Sequence, residues 1–90
     1  MYYVYILFSY KDAKLYTGYS SNLQRRIREH HAGKSTATRD RRPLKLIYYE
    51  AHLTSDEALR REKFLKGGNG RGQLKLQIES TLTNLGYACL

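Results

Sequence analysis

The sequence predicts an α+β domain in which helices flank a three-stranded antiparallel sheet, in the order β-β-α-β-α-α. Apolar runs of strand length, rich in tyrosine and β-branched residues, occur near the start of the chain and again at residues 44–51. Segments with helical spacing of apolar residues follow the second and third runs. Because 90 residues suffice for one small core, we assign residues 1–82 to a single domain and residues 83–90 to a short C-terminal tail.

Three segments are predicted to be strands. Residues 2–8 (YYVYILF) suit a strand that is buried on both faces, and a polar loop leads from it to a second strand at residues 15–19. Gly18 weakens this second strand, so a bend or the close approach of another group is the expected reason for it. Pro43 excludes a helix through the preceding basic loop and introduces the third strand, residues 44–51.

Two helices are predicted from their caps and their apolar spacing. Residues 23–31 follow three candidate N-cap residues and are followed by Gly33, a residue type that is common just after a helix. Thr54 and Glu57 form the T-x-x-E capping box of a second helix, which runs to about residue 66.

A glycine-rich segment, residues 67–72, follows the second helix. Four glycines in six residues predict a break in the helix and a turn, and a backbone nest for a phosphate is one interpretation of that turn. A final short helix is predicted at residues 74–82, because Leu74, Ile78 and Leu82 recur at i, i+4 and i+8.

The charge balance favours a polyanionic partner. The chain has 16 Lys and Arg residues against 8 Asp and Glu residues, a formal charge of +8. Phosphate backbones are the default partner for a small domain of this charge, although a basic surface also serves solubility. Cys89 is the only cysteine, which excludes an internal disulfide and favours a reducing compartment, the cytoplasm. The apolar run at residues 2–8 is too short to span a bilayer, so a membrane is not an expected partner.

Polar residues interrupt the apolar face of the first predicted helix. Leu23, Arg26, Ile27 and His30 share one side by their i, i+3, i+4, i+7 spacing. An arginine beside an apolar stripe needs a phosphate or carboxylate partner, because an unpaired buried charge is costly, unless the side chain reaches water at the stripe's edge. His30 has the right chemistry to transfer a proton near neutral pH, although a packed core histidine is the commoner case.

The second predicted helix carries a carboxylate on its apolar side. Glu62 lies between Ala58 and Leu65 at i+4 and i+7 spacing. It has the oxygen chemistry to hold a divalent metal, since Mg²⁺ sites at phosphates often use only one or two carboxylates. The alternative is an ordinary i, i+4 ion pair with Lys66.

Tyrosines are concentrated in the predicted strands. Tyr3 and Tyr5 share one face of the first strand, and Tyr16 lies in the second, two residues before Gly18. Most tyrosines in strands pack in the core or on the sheet surface. Beside an arginine and a metal, however, a tyrosine hydroxyl can position a water molecule or relay a proton.

Together these residues resemble the signature of the GIY-YIG nucleases. The string YVY at residues 3–5 corresponds to GIY, and YTG at residues 16–18 corresponds to YIG. The eleven-residue step from Tyr5 to Tyr16 and the ten-residue step from Tyr16 to Arg26 fit the family pattern, and Glu62 in the string ALRREK resembles the family's metal-binding glutamate. The resemblance extends over residues 2–75 and is closest to small members that consist of little more than the nuclease domain.

The resemblance implies an endonuclease that hydrolyses phosphodiester bonds in DNA, with RNA as a further candidate substrate. It also implies one Mg²⁺ or Mn²⁺ ion held by Glu62, charge stabilisation by Arg26, and a tyrosine or histidine that positions and deprotonates water. The implied catalytic residues are Tyr5, Tyr16, Arg26, His30 and Glu62. The residues expected to contact nucleic acid are Gly18, Arg39, Arg41, Arg42, Lys66 and Arg71.

Two positions depart from the family pattern. Tyr3 stands where the motif has glycine. Many members also carry an asparagine well after the glutamate, whereas here Asn69 comes early, Asn84 comes late, and Gln77 is the candidate substitute. Position 3 is a loose position of the motif, whereas the missing asparagine favours an alternative function, a nucleic-acid-binding or adaptor module with the nuclease fold that cleaves weakly or needs a protein partner to recognise its substrate.

Overall fold

The computed structural model describes residues 1–87 and confirms the predicted α+β class and order of elements. The strands are β1 (Tyr2–Ser9), β2 (Leu15–Ser20) and β3 (Leu44–His52). The helices are α1 (Leu23–His31), α2 (Ser55–Lys66), α3 (Gly68–Gln77) and α4 (Glu79–Asn84). A 3₁₀ turn, Arg39–Arg41, lies in the loop between α1 and β3. Cys89 lies outside the described residues, and within residues 1–87 no helix is long and apolar enough to cross a bilayer.

The strands form one antiparallel sheet in the order β2-β1-β3. The central strand β1 is buried from Val4 to Ser9, as its apolar composition predicts. Tyr5 lies directly opposite Gly18 of β2 and Tyr49 of β3. Because side chains alternate along a strand, Tyr5 and its two partners belong to one face of the sheet and Val4 belongs to the other.

Each face of the sheet has its own hydrophobic core. On one face, β1 and β2 pack against the three C-terminal helices, whose buried contributors are Ala58, Leu65, Leu74, Ile78 and Leu82. Burial of a leucine side chain that is fully removed from water stabilises the fold by about 2 kcal/mol. On the other face, Tyr5 and Leu7 pack against Leu23 and Ile27 of α1, which confirms the apolar stripe predicted for that helix.

The predicted helix caps are present. The Asn22 side chain accepts a hydrogen bond from the Arg25 backbone N–H at 3.1 Å and so begins α1. Gly33, just beyond this helix, has a φ of +77°, a left-handed conformation that glycine adopts without strain. The Thr54 hydroxyl accepts from the Glu57 backbone N–H at 3.3 Å, as the capping box at the start of α2 predicts.

The glycine-rich segment is helical, and the predicted turn with a phosphate nest is wrong. Gly67 ends α2 through a 3.1 Å hydrogen bond to the Phe64 carbonyl, and its own carbonyl accepts from the Arg71 N–H at 2.9 Å to begin α3. Gly70 lies against the Phe64 carbonyl so closely that any Cβ would collide with it. Tight packing of α3 on α2 therefore requires a glycine here and outweighs its low helix propensity of about 1 kcal/mol. The chain bends at Ile78, which divides α3 from α4.

Candidate active site

Strands β1 and β2 place the ring of Tyr5 over the backbone of Gly18. A Cβ at position 18 would collide with the ring and hydroxyl of Tyr5, which confirms the predicted close approach at this glycine. Gly18 is itself buried, so it supports the tyrosine from beneath. Its predicted contact with nucleic acid remains a prediction.

A chain of hydrogen bonds begins at the Tyr5 hydroxyl. Tyr5 Oη lies 2.8 Å from Nε2 of His30, and Nδ1 of His30 lies 2.6 Å from Oγ1 of Thr38. All three residues are completely buried. Helix α1 therefore directs His30 inward as its spacing predicts, and the loop after α1 supplies a hydroxyl on the far side of the imidazole ring.

Burial sets the protonation states of this chain. It lowers the pKa of His30 from 6.5 to about 4, and the nearby Arg26 guanidinium lowers this pKa further. Burial also raises the pKa of Tyr5 to about 12, although the Arg26 guanidinium opposes this effect. At neutral pH the imidazole is therefore uncharged and the Tyr5 phenol keeps its proton.

Tyr16 joins this cluster from β2. Its ring centroid lies 6.5 Å from that of Tyr5 and 5.4 Å from that of His30. Tyr16 is only partly buried, whereas Tyr5 and His30 are inaccessible. Tyr16 is thus the member of this aromatic group that reaches solvent.

Arg26 extends from α1 toward the same cluster and is held by two neighbours. Its Nη1 donates to Glu29 Oε1 at 3.0 Å, and its Nη2 donates to Ser35 Oγ at 3.2 Å. The side chain keeps 31% of its surface exposed. The partner that an arginine at this position requires is therefore the carboxylate of Glu29, and the exposed part of the guanidinium is left to face a ligand.

Glu62 approaches from the opposite layer. It lies on α2 between the fully buried Ala58 and Leu65, and 19% of its side chain is exposed. Its negative charge is the smallest of the effects that act on the pKa of Tyr5. The i, i+4 ion pair with Lys66 is also formed, at 3.2 Å.

The donor set of this site fits one hard divalent cation. Glu62 offers a partly exposed carboxylate, and Mg²⁺ is commonly held by one or two carboxylates together with water and substrate phosphate. Within residues 1–87, no group of three or more His, Cys, Asp and Glu side chains is arranged to hold a metal. Glu62 would therefore hold such a cation together with a substrate phosphate and water.

The predicted phosphate-binding residues occupy different environments. Arg39 and Lys66 are exposed. Arg41 Nε donates to Asp12 Oδ2 at 2.6 Å, and this pair lowers the pKa of Asp12 to about 2. Arg42 donates to the Arg39 and His31 carbonyls.

Arg71 is directed into the protein. It donates to the Leu65 carbonyl at 3.2 Å and to Thr17 Oγ1 at 3.1 Å, and so ties α3 to β2. Gln77 is likewise engaged away from the cluster, because its amide donates to the Tyr48 hydroxyl at 3.3 Å. This contact does not support the prediction that Gln77 takes the place of the family's asparagine.

Comparison with known proteins identifies the class to which this fold and site belong. The family model described as "GIY-YIG catalytic domain" matches residues 1–75. That range contains the tyrosines, the arginine, the histidine and the glutamate of the cluster. The chain belongs to the GIY-YIG family, which is a family of nucleases.

Similar proteins span nearly the same length. The chain is 44% identical over 75 residues to UPF0213 protein SH2523 of Staphylococcus haemolyticus, covering 82% of this chain and 90% of the relative. It is 39% identical over 88 residues to UPF0213 protein CPE1444 of Clostridium perfringens, covering 97% and 94%. The solution NMR structure of UPF0213 protein BH0048 from Bacillus halodurans is 40% identical, covers 82% of each chain, and matches with a TM-score of 0.52.

Sequence reasoning missed the residues that hold the cluster in place. Ser35 and Thr38 are 4% and 0% exposed, and their hydroxyls contact Arg26 and His30. Both lie in a polar loop with no periodicity, so no local pattern distinguishes them from solvated residues. Glu29 had a detectable signal, since it stands three residues after Arg26 on the same predicted helix.

Acid should destabilise the fold through His30. Its pKa is about 4 in the folded chain against 6.5 ordinarily, so the unfolded chain binds the proton more tightly. This contribution is complete above pH 6.5 and is lost as the pH falls toward 4, a change of about 3 kcal/mol in the free energy of unfolding. Urea titrations across this range should show the loss in the wild type and a flatter profile in His30→Gln.

The neighbouring His31 provides the control for this measurement. It is exposed, so His31→Gln should keep the wild-type dependence on pH, and the carboxylates contribute equally to all three proteins. Parallel profiles for the wild type and His30→Gln would contradict the assignment of His30 as a buried neutral imidazole.

Proposed function

We propose that this chain is a divalent-metal-dependent endonuclease that hydrolyses phosphodiester bonds in DNA and acts in the repair or processing of nucleic acid. The observation that carries the proposal is the convergence, around the Tyr5 hydroxyl, of side chains from β1, β2 and α1. A formal charge of +8 suits the approach of a phosphate backbone to this site.

Arg26 stabilises the negative charge that develops on the phosphate in the transition state. Glu29 and Ser35 fix the guanidinium through Nη1 and Nη2, so its remaining N–H donors are oriented before the substrate binds. Arginine suits this role better than lysine, because its planar group presents several donors at once to phosphate oxygens.

Glu62 holds the metal in this proposal. If one Mg²⁺ or Mn²⁺ ion were bound by Glu62, it would supply Lewis-acid polarisation of the phosphate and charge stabilisation for the leaving oxygen. The Lys66 ammonium is on an exposed side chain and can move aside when the carboxylate takes up the cation.

The tyrosines and the histidine position water and receive its proton. Tyr16 reaches solvent and orients the attacking water at the rim of the cluster. Tyr5 keeps its proton at neutral pH, so it can accept a proton only while passing its own to Nε2 of His30. This transfer requires the tautomer of the neutral ring that carries its proton on Nδ1, toward Thr38. Thr38 holds the other nitrogen of the ring and so fixes its orientation.

The second candidate function is a nucleic-acid-binding or adaptor module that cleaves weakly or needs a protein partner. The contact between Gln77 and Tyr48 favours it, because it leaves the family's asparagine without its predicted substitute.

A panel of duplex, nicked, branched and single-stranded DNA, together with RNA, tests the two functions. The strands are incubated with the protein and Mg²⁺ or Mn²⁺, with EDTA as the control. Metal-dependent cleavage of any DNA member supports the nuclease, whereas binding without cleavage across the panel supports the adaptor.

Binding of DNA should weaken steeply with salt. If about six phosphates are neutralised, the affinity should fall about a thousandfold between about 50 and 200 mM salt, because each contact releases a condensed counterion. Fluorescence anisotropy in EDTA measures this affinity without cleavage. A flat dependence on salt would contradict binding through the phosphate backbone.

A further inference from the structure

A groove lies beside the cluster, between the start of α1 and strands β1 and β3. Its volume is about 440 Å³. Its lining residues are Tyr3, Ser21, Asn22, Leu23, Gln24 and Tyr49.

The groove adjoins the proposed catalytic residues. Tyr49 is the β3 partner of Tyr5, and Tyr3 lies two residues before Tyr5 on the same face of the sheet, a step of about 7 Å. On the helical side, the Arg26 backbone N–H donates to the Asn22 carbonyl at 3.1 Å, so the groove lies one turn before Arg26. A nucleotide next to a phosphate held by Arg26 is within reach of it.

The lining combines aromatic rings with uncharged polar groups. The rings of Tyr3 and Tyr49 meet edge to face, with centroids 6.3 Å apart and planes inclined at 60°. Tyr49 is 54% exposed, so much of its ring is open to a ligand. Ser21 and Gln24 bring polar side chains to the same groove.

This chemistry selects among possible occupants. A phosphate would need positive charge, and no lining residue is charged, whereas a nucleobase offers a flat π-face for stacking and polar edges for hydrogen bonds. Arg25 follows Gln24 on α1 and is 60% exposed, so a cation stands beside the groove for the phosphate attached to such a base. A second copy of this chain would bring another charge of +8 against the first, which opposes self-association.

We propose that this groove is a base-stacking subsite, which holds one unpaired nucleobase of the substrate strand next to the phosphate to be cleaved. The proposal rests on the proposed function for the identity of the substrate. Stacking of a base on an aromatic side chain tolerates any sequence, so the subsite favours unpaired over fully paired strands without selecting a particular base.

Binding of two single strands tests the subsite. One is a fluorescein-labelled oligothymidylate, and the other is a strand of equal length in which every nucleotide is abasic. Anisotropy is measured in EDTA, so the result does not depend on cleavage. Tyr49→Leu keeps the apolar bulk of the side chain but removes its π-face. This substitution should weaken the affinity for the oligothymidylate roughly 5- to 100-fold while leaving the affinity for the abasic strand unchanged.

Tyr10 provides the matched control. Its exposed fraction, 52%, is similar to that of Tyr49. It lies just beyond β1, however, where its ring packs edge to face against that of Phe8 with the ring centroids 5.2 Å apart. Tyr10→Leu should leave both affinities at the wild-type value. Tyr3→Leu, the second variant of the subsite, should repeat the selective loss in smaller degree, and thermal melts establish that all variants fold.

Three results would overturn the proposal. The first is an equal change in affinity for the oligothymidylate in Tyr49→Leu and Tyr10→Leu. The second is a loss of affinity in Tyr49→Leu that is as large for the abasic strand as for the oligothymidylate. The third is a change in the oligomeric state of Tyr49→Leu, measured by sedimentation. The proposed function can fail independently of the subsite. If the wild-type protein shows this selective binding of bases but cleaves no DNA with Mg²⁺ or Mn²⁺, the subsite is supported and the nuclease function is contradicted.

Discussion

Arg26→Ala should slow cleavage by about 10²-fold or more at saturating DNA, the usual scale for removing one donor that stabilises charge in a transition state. Glu29 and Ser35 hold this guanidinium in the cluster, so in the proposed mechanism it would reach the phosphate without reorganisation. The affinity for DNA should fall far less, because many other basic residues share the phosphate contacts. Single-turnover cleavage and anisotropy in EDTA separate the two effects.

Arg25 and Arg28 are matched controls on the same helix. Both are exposed, so Arg25→Ala and Arg28→Ala remove the same charge from the solvent side of α1. They should weaken binding slightly and leave the saturated rate almost unchanged. Arg26→Lys keeps the charge but loses the planar donors, so it should resemble Arg26→Ala. Equal behaviour of the three alanine variants would make Arg26 part of a general basic surface and would advance the adaptor function.

Periodicity was sufficient to predict the three strands, helices α1 and α2, and the inward direction of His30. The alternation in β1 separates Tyr5 from Val4, and the i, i+4 spacing in α1 directs His30 toward the sheet. A charged residue on an apolar stripe needs a partner or a path to water, which is why Arg26 could be recognised from sequence as unusual.

Contacts between distant segments could not be predicted in this way. Thr38 reaches His30 from a loop whose composition only indicates exposure, and Arg71 reaches Thr17 across 54 residues of sequence. The number of charged residues likewise does not show which of them form ion pairs. Arg41, for example, is paired with Asp12, which lies in a different loop.

The glycine-rich segment shows a related limit. Helix propensity describes what a residue prefers without neighbours, and four glycines there argue against a helix. In the folded chain, Gly70 is the residue that allows α3 to approach the Phe64 carbonyl at the end of α2. Tertiary packing therefore determines the helical conformation of this segment, whereas its local sequence predicted a turn.

Glu62→Gln should abolish metal-dependent cleavage while leaving the thermal melt nearly unchanged. The substitution keeps the shape of the side chain but removes the charge that would hold a divalent cation in the proposed mechanism. The stability cost is small, because the i, i+4 pair with the exposed Lys66 contributes only about 0.5 kcal/mol. The initial rate of cleavage across a range of Mg²⁺ and Mn²⁺ concentrations measures the effect.

Glu57→Gln is the control for this change, because it makes the same replacement in the same helix. Glutamine can still serve in the capping box with Thr54, so the helix start should be preserved. Glu57 lies in the first turn of α2, at a different groove formed with His52, Arg60 and Phe64, so its variant should cleave at the wild-type rate and require the same metal concentration. If Glu62→Gln also cleaves at the wild-type rate, the carboxylate serves only its ion pair with Lys66, and the metal must be held elsewhere. If Glu62→Gln still cleaves but needs much higher metal concentrations, Glu62 is only one of the ligands of the cation. The substrate phosphate would then supply most of the attraction for the metal.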